Sequence, residues 1–525
     1  MNRTEMLNRV KAQQEFWDFV IIGGGATGVG CAVDAASRGF SVLLLEQSDF
    51  GKGTSSRSTK LVHGGVRYLA QGNVSLVREA LKERGTLARN AAHLVKTQRF
   101  IVPVYSLQEK VFYGSGLKIY NLLSGKYGFG KSRILSTSEV IARLPNVRGE
   151  NLRGGILYFD GQFDDARLLI NLAQTAAEQS AVMLNYARVF ELTKDENGKI
   201  NGVNYQDTES GEVFTAHAKI VINAAGAFCD AVRRFSVAAA APIITPSQGI
   251  HLVFDRQFLP SENALMIPKT PDGRVLFAIP WHGKTLIGTT DTPIEKAPLE
   301  PQALESEIEF VLATIKNYLT EAPTRADILS VFAGIRPLVK NETAVNTAKL
   351  ARDHTIEIDE HNLLTITGGK WTTYRSMAED AVNQAIDLSG LPARKSVTEN
   401  LQIHGATTKT SPENELGIYG TDAEHIKKII TDDPKLKEKL HENLPYAQAE
   451  VVWCCRSEMA RTVEDVLARR TRALFLDARA AIKSAGKTAE IMAIELEKDA
   501  AWIAAQIEDF NEIARGYLIE NYRSE

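Results

Sequence analysis

The chain is poor in cysteine and in net charge, and each shortage excludes a class of protein. Four cysteines occur in 525 residues, too few and too irregularly spaced for a disulfide framework or a zinc cluster. We therefore expect a reducing compartment and no metal site. Sixty-one Lys and Arg nearly balance 64 Asp and Glu, for a net charge of −3, whereas nucleic-acid-binding domains are usually strongly basic. No nucleic-acid partner is expected.

Long apolar runs are also missing. The first fifteen residues carry scattered charges and no run of signal-peptide length, so secretion is not expected. The charge-free stretch 235–254 contains two prolines and several polar side chains, which would be left unsatisfied in hydrocarbon. The remaining composition, 44% apolar and 24% charged, is typical of a globular chain. Its length suggests about two to four domains.

The hydrophobic pattern predicts an α/β fold with added β-rich and helical parts. WDFVII, GGGATG, an Ala-rich stretch to Arg38 and SVLLLE read as strand, turn, helix and parallel strand. Short β-rich runs between Pro242 and Thr292, separated by Pro, Gly and Asp, predict an antiparallel sheet. Nearly everything beyond residue 413 has helical composition and periodicity.

The turn after the first strand has the spacing of a dinucleotide-binding loop, Gly23-x-Gly25-x-x-Gly28. Its glycines allow a tight turn, close approach to a pyrophosphate and close helix packing, and the helix N-terminus faces the anion. Glu46 ends the second strand, 21 residues after Gly25, where a carboxylate can bind the ribose hydroxyls.

FAD and NAD share this fingerprint, so the cofactor must be chosen on other segments. Ala225-Gly226 follows a buried strand, and Gly368-Gly369-Lys370 lies between a strand and a helix. Both segments could bring the chain back into contact with the same elongated FAD molecule. The sequence has no second GxGxxG between a strand and a helix and no Cys-x-x-Cys, which argues against a nicotinamide-to-flavin or dithiol relay. A nicotinamide enzyme remains an alternative.

Several separated segments resemble the FAD-dependent glycerol-3-phosphate dehydrogenases. They are IGGGATGVGCAVDAASRG (22–39), TSSRSTKLVHGGVRYL (54–69), GIRPL (334–338), RDH (352–354), GGKWTTYRSMA (368–378) and ARTVEDVLARRTRALFLDA (460–478). The resemblance implies a glutathione-reductase-like FAD-binding Rossmann-type domain, an antiparallel β-rich substrate domain and a C-terminal helical cap. It also implies oxidation of sn-glycerol 3-phosphate to dihydroxyacetone phosphate, by hydride transfer from C2 to FAD.

This organisation predicts domain boundaries. We expect a discontinuous FAD-binding domain at 1–95, 155–230 and 330–390, with a substrate domain and insertion at 96–154 and 231–329. A linker at 391–413, rich in Thr, Ser, Asn and Gly near its end, precedes a helical cap at 414–525.

The resemblance also points to site residues. A phosphate dianion suits arginine, whose planar fork donates two parallel hydrogen bonds. The predicted phosphate and substrate ligands are Arg67, Tyr68, Arg336, Arg352 and Lys370; an isolated arginine would otherwise be read as a surface ion pair. His251 is predicted to accept the C2 hydroxyl proton, with a buried core histidine as the alternative. Predicted cofactor contacts, beside the glycines and Glu46, are Thr54, Ser55, Ser56, Ser58, Lys60 and His63.

Residues 110–133 indicate a membrane surface. This segment has five basic and no acidic residues, interleaved with aromatic and aliphatic ones, as an interfacial segment attracted to anionic lipid requires. A half-buried insertion is the alternative. We expect a cytoplasmic enzyme attached peripherally to the inner face of the cell membrane, passing electrons to quinone. A soluble oxidase making hydrogen peroxide and an FAD-binding RNA-modifying protein are the competing functions, and a homodimer is left open.

Overall fold

The computed structural model describes residues 1–13, 15–66, 69, 73–270, 273–340, 354–408 and 416–521. Its strands, numbered in chain order, are β1 (Trp17–Ile22), β2 (Val42–Leu45), β3 (Leu61–Val62), β4 (Val95–Pro103), β5 (Arg133–Leu135), β6 (Gly155–Phe163), β7 (Val182–Leu184), β8 (Ala187–Lys194), β9 (Ile200–Asp207), β10 (Val213–Asn223), β11 (Ile244–Asp255), β12 (Asn263–Ile267), β13 (Leu276–Trp281), β14 (Lys284–Gly288), β15 (Thr292–Pro293), β16 (Ser330–Val339), β17 (His354–Ile358) and β18 (Leu364–Gly368).

Helices connect and flank these strands. They are α1 (Arg3–Ala12), α2 (Ala26–Ser37), α3 (Val74–Asn90), α4 (Leu107–Ser124), α5 (Thr137–Arg143), α6 (Asp165–Glu178), α7 (Cys229–Ser236), α8 (Glu305–Lys316), α9 (Tyr374–Ser389), α10 (Ala423–Asp432), α11 (Gln448–Ser457), α12 (Ala473–Leu476), α13 (Ala478–Glu495) and α14 (Ala500–Arg515). Within the described ranges, none of them combines the length and apolarity needed to span a bilayer.

The first sheet contains the parallel strands of the dinucleotide fold. Its order is β17-β18-β10-β1-β2-β7, and β9 and β8 extend it antiparallel from β10. The pairings from β18 through β10, β1 and β2 to β7 are parallel. Strands β1 and β2 are apolar almost throughout, as strands covered on both faces require. The carboxyl ends of the parallel strands meet at one edge, where such sheets bind ligands.

The second sheet is mostly antiparallel and confirms the predicted β-rich region. Its order is β15-β11-β14-β13-β12-β4-β6-β3, with β16 added to β11 and β5 to β6. The pair β11–β16 runs from Ile244 opposite Val339 to Val253 opposite Ser330. This long pairing places Arg336 opposite Ser247 and Phe332 opposite His251.

Two predicted domain boundaries differ from the strand pairing. Strands β6 and β16 fall within the ranges 155–230 and 330–390 assigned to the dinucleotide domain, yet both pair in the second sheet. Strand β6 pairs with β4 along its whole length, and β16 pairs with β11. Their partners are distant in sequence, so the local pattern could identify the strands but not their sheet.

The C-terminal helices are joined to the rest of the chain by buried ion pairs. Arg470 pairs with Asp49, which follows β2, and Arg469 Nε lies 2.5 Å from the same carboxylate. Arg167 on α6 pairs with Glu458 at a fully buried position. Breaking one such pair leaves a buried charge uncompensated, at a cost of about 3–5 kcal/mol. The helical region is therefore fixed behind the loop that follows β2.

Candidate active site

The turn between β1 and α2 has the close packing that its glycines predict. Gly23 has φ +115°, and a Cβ on Gly28 would lie 2.0 Å from the Gly23 carbonyl oxygen. A side chain at either position would displace the start of α2. The turn borders a cavity of about 350 Å³ at the carboxyl ends of the parallel strands. Backbone N–H groups at the first turn of α2 therefore face a space suited to an anion.

Glu46 lies beside this turn, at the end of β2. Its carboxylate accepts hydrogen bonds from Gly24 N, at 2.6 Å, and from Ser48 N, at 2.9 Å. Burial raises the pKa of Glu46, and the two N–H groups oppose that rise. The carboxylate lines the cavity and still has acceptor capacity for hydroxyl groups. Its position fits the predicted ribose contact.

Separated segments of the chain meet around the same cavity. Beside the first turn and Glu46, the lining includes Thr54, Ser55, Ala225, Gly226, Gly368, Gly369 and Lys370. Ser55 Oγ accepts from Ala26 N at 2.9 Å, which ties its loop to the start of α2. Gly226 has φ +56° and nothing within 4 Å of where a Cβ would stand. An elongated space with glycine walls, a helix N-terminus and a carboxylate fits FAD.

Three predicted cofactor contacts turn away from the cavity. Ser56 Oγ donates to Gly51 O at 2.8 Å, and Ser58 Oγ donates to Asp165 Oδ2 at 2.7 Å. Lys60 Nζ is fully buried, 2.8 Å from Asp165 Oδ1. None of the three lines the first cavity; their side chains stabilise the loop through contacts within the protein, and their predicted contacts with the cofactor remain predictions. A buried ammonium needs an anionic partner, and Asp165 supplies it.

A second cavity, of about 180 Å³, lies between β16, β13 and the segment after β3. Arg336 Nη1 is 3.3 Å from Asp291 Oδ1, and its Nη2 donates to Thr289 Oγ1 at 3.1 Å. Arg274 Nε is 4.0 Å from the other oxygen of Asp291. All four residues line the cavity. Two guanidinium groups are thus gathered around one carboxylate, in a place where an anionic ligand fits.

Arg274 and Asp291 were not predicted from the sequence. The only local signals are the Asp-Gly turn before Arg274 and the TTDT segment after a strand. Both patterns are ordinary in loops, so neither indicates a ligand site by itself.

His251 lies just behind the wall of the second cavity. Its side chain on β11 is buried and stacks on Phe332, with ring centroids 4.9 Å apart. Nε2 is 2.9 Å from Thr59 Oγ1, and Thr59 lines the cavity. Burial, with the nearby charges of Lys60 and Arg336, holds the pKa of His251 well below its usual value. The imidazole is therefore neutral. Thr59 had not been predicted as a site residue.

The other predicted site residues fall in three places. His63 lines the second cavity, not the first, although it was predicted as a cofactor contact. Lys370 lines the first cavity. Arg67, Tyr68 and Arg352 lie outside the described residues, so their predicted contacts with substrate remain predictions.

Comparisons with known proteins agree with this arrangement. Residues 18–375 match the family model described as FAD dependent oxidoreductase, and residues 364–502 match the C-terminal domain of alpha-glycerophosphate oxidase. Together with the glycine-lined cavity, these matches define the chain as an FAD-dependent oxidoreductase. Similar proteins of known name specify a family within this class.

A mitochondrial glycerol-3-phosphate dehydrogenase of Arabidopsis thaliana is 39% identical, over 92% of this chain and 83% of the relative. The Rattus norvegicus enzyme of the same name is 38% identical, over 94% of this chain and 72% of the relative. The chain belongs to the glycerol-3-phosphate dehydrogenase family.

Solved structures show the same fold. The glycerol-3-phosphate dehydrogenase of Bacillus halodurans, complexed with FAD, superposes with a TM-score of 0.81 at 27% identity, over 100% of this chain and 99% of that one. The L-alpha-glycerophosphate oxidase of Mycoplasma pneumoniae gives a TM-score of 0.57 at 18% identity, over 74% of this chain and 98% of that one. The second likeness concerns the fold alone.

Proposed function

We propose that the chain oxidises sn-glycerol 3-phosphate to dihydroxyacetone phosphate and passes the electrons to a membrane quinone. One observation carries the first part. Pro337 lines the glycine-rich cavity, and Arg336, the residue before it, lines the cavity with two arginines. A cofactor site and an anion site therefore share a wall. Relatives that carry the name of this activity cover most of the chain.

The glycine-rich cavity would hold FAD through the turn at Gly23–Gly28, the Glu46 carboxylate and the segments at 225–226 and 368–370. FAD supplies the two-electron acceptor for the hydrogen on C2. The protein itself contributes orientation, charge and removal of the hydroxyl proton.

Arg336 and Arg274 would bind the substrate phosphate. A phosphate dianion is best matched by planar donor forks, and Asp291 holds both guanidinium groups near one end of the second cavity. The carboxylate keeps the two cations together before substrate arrives, so less side-chain ordering is required on binding.

The pair formed by Thr59 and His251 would remove the hydroxyl proton. As the C2–H pair of electrons leaves, the C2–O bond becomes a carbonyl, and the hydroxyl proton passes to Thr59 Oγ. The Thr59 proton passes in turn to Nε2 of His251, 2.9 Å away. The pKa of His251, lowered mainly by burial, keeps this nitrogen able to accept.

The decisive experiment is anaerobic addition of glycerol 3-phosphate to the FAD-loaded protein. We expect loss of the flavin absorbance bands and one dihydroxyacetone phosphate formed per flavin. Glycerol, which lacks the phosphate, is the matched control and should reduce the flavin only at much higher concentration. A flavin that stays oxidised with glycerol 3-phosphate would contradict the proposal. That result is the one expected of an RNA-modifying flavoprotein or of a nicotinamide enzyme.

The proposal of a membrane acceptor is supported by helix α4. Its outer face exposes Leu107, Val111, Phe112, Ile119 and Leu122, while its opposite face is buried against the second sheet. Lys118 and Lys126 are exposed at or near this face. An apolar stripe bordered by cations suits insertion at an anionic lipid surface. We propose that this surface contacts the inner face of the cell membrane, the bilayer in which quinone is dissolved.

A soluble oxidase is the second candidate function, since one family match carries an oxidase name. The quinone-dependent dehydrogenase and the oxidase are distinguished by measuring how fast the reduced enzyme is reoxidised by a short-chain ubiquinone or menaquinone and by dioxygen. Rapid quinone reduction without hydrogen peroxide is expected, and stoichiometric peroxide with slow quinone reduction would favour the oxidase.

A further inference from the structure

Tyr120 connects helix α4 to the wall of the second cavity through hydrogen bonds. Tyr120 projects from the face opposite the exposed apolar stripe and is 3% exposed. Its hydroxyl donates to Asp160 Oδ2 at 2.8 Å and accepts from Gly64 N at 2.8 Å. One side-chain oxygen therefore joins β6 to the segment that follows β3.

The two partners of the Tyr120 hydroxyl lie in or next to the wall of the second cavity. Asp160 lines it, and so do His63 and Gly65 on either side of Gly64. A Cβ on Gly64 would lie 2.5 Å from the tyrosine oxygen, so the absence of a side chain at Gly64 permits the contact. The segment cannot shift without breaking this hydrogen bond.

Arg84 completes the arrangement from α3. Its Nη1 donates to Asp160 Oδ1 at 2.7 Å, so each carboxylate oxygen has its own donor. Burial and the Asp160 carboxylate raise the pKa of Tyr120 well above its ordinary value. The phenol therefore stays protonated near neutral pH, where it can donate to Asp160.

We propose that Tyr120 is a positioning residue for substrate, because its hydroxyl holds the His63–Gly65 segment and Asp160 in register across the second cavity. The inference rests on the proposed function, since that cavity is where glycerol 3-phosphate is placed. The segment leads directly along the chain to Arg67 and Tyr68, the predicted phosphate ligands. Loss of the hydroxyl should therefore weaken substrate binding more than it slows the chemical step.

The test is Tyr120→Phe, which removes one oxygen and keeps the packed ring. Stopped-flow reduction of the FAD-loaded protein, without oxygen, gives the apparent Kd for glycerol 3-phosphate and the limiting rate. We expect the Kd to rise about tenfold, because a His63–Gly65 segment that is no longer held in place must be ordered when substrate binds. The limiting rate should stay within about twofold of the parent. Tyr113→Phe is the control, since Tyr113 lies on the same helix but outside this hydrogen-bond network.

A second variant separates positioning from folding. Asp160→Asn keeps the shape of the side chain, and its effect on the Kd should not add to that of Tyr120→Phe if the two residues act as one unit. A purely structural role would lower the amount of flavin bound and the melting temperature but leave the Kd of the remaining holoenzyme unchanged. If Tyr120→Phe does not retain FAD, a parent-like Kd in Asp160→Asn overturns the inference.

Three other outcomes would overturn it: a parent-like Kd in Tyr120→Phe, an equal rise in Tyr113→Phe, or a limiting rate that falls as far as the affinity. Reduction of the parent protein in the same series shows that the proposed function holds. If the parent is not reduced, the proposed function fails, and the inference fails with it.

Discussion

The Thr59 hydroxyl lies 2.9 Å from Nε2 of His251, and of the two residues only the threonine lines the second cavity. A buried imidazole can reach a substrate there only through an intervening group. The pairing therefore supports the proposed two-residue path for the hydroxyl proton, in which Thr59 stands between the substrate and His251.

Thr59→Val should slow flavin reduction at saturating glycerol 3-phosphate by about 10²–10⁴-fold, the usual contribution of a positioned proton acceptor. Valine has nearly the same shape, so substrate affinity should change little. Thr59→Ser is the matched control and should keep most of the rate, because it keeps the hydroxyl. His251→Ala should slow the same step. A parent-like limiting rate in either Thr59→Val or His251→Ala would require another proton acceptor.

Arg336→Ala and Arg274→Ala should each weaken binding of glycerol 3-phosphate about ten- to hundredfold, since a hydrogen bond to a charged group is worth about 1.5–3 kcal/mol. The measured quantity is the substrate dependence of flavin reduction. Arg256→Ala is the control, because that arginine forms an exposed ion pair with Glu262 away from the cavity. The parent should oxidise glycerol less efficiently than glycerol 3-phosphate. The variants should oxidise glycerol as well as the parent does. Equal losses for both substrates would mean that the arginines do not bind phosphate.

The sequence predicted the lining of the first cavity better than the lining of the second, for a physical reason. Glycine-containing turns at the ends of parallel strands are local signals, and the turns at Gly23, Ala225 and Gly368 all line the first cavity. The direction of a side chain depends on its partner, however. Lys60 turns inward because Asp165 lies behind it, 105 residues further along the chain.

The same dependence explains the residues that were missed. Arg274 can be recognised as a site residue only from its position near Asp291 and Arg336. These three residues lie on different segments that the second sheet brings together. Tyr120 is one of the aromatic residues of the segment 110–133, which was predicted to contact a membrane surface, but its side chain points inward, to Asp160. A helical periodicity predicts which face of a helix is buried, but it does not predict which residues that face contacts.

Lys118→Glu combined with Lys126→Glu should release the protein from anionic vesicles. The two changes reverse charge at an exposed apolar stripe, and each basic residue near such a surface contributes about 1 kcal/mol. Cosedimentation with phosphatidylserine-containing vesicles measures the effect, which should weaken as salt is added. Lys427→Glu combined with Lys428→Glu on α10 applies the same charge change to another exposed face. Equal release by both pairs would show only a general charge effect, and no release by the first pair would remove the membrane assignment.

His404 should make the stability of the protein depend on pH. Its Nδ1 lies 2.5 Å from Glu178 Oε1, and its Nε2 lies 2.8 Å from Asp422 Oδ2. The imidazole thus ties the predicted linker to α6 and to the residue before α10. Although burial lowers the pKa, hydrogen bonds to Asp422 and Glu178 outweigh it and raise the pKa to about 9.

A folded-state pKa above the unfolded value means that the stabilisation is complete below about pH 6.5 and is lost as pH rises through about 9. A shift of this size corresponds to about 3 kcal/mol. Urea unfolding of the parent should show a fall in the free energy of unfolding across this window, and His404→Gln should remove most of it. His441→Gln is the control, because no carboxylate ion pair of His441 occurs within the described ranges. A parent-like slope in His404→Gln would mean that other groups govern the pH dependence.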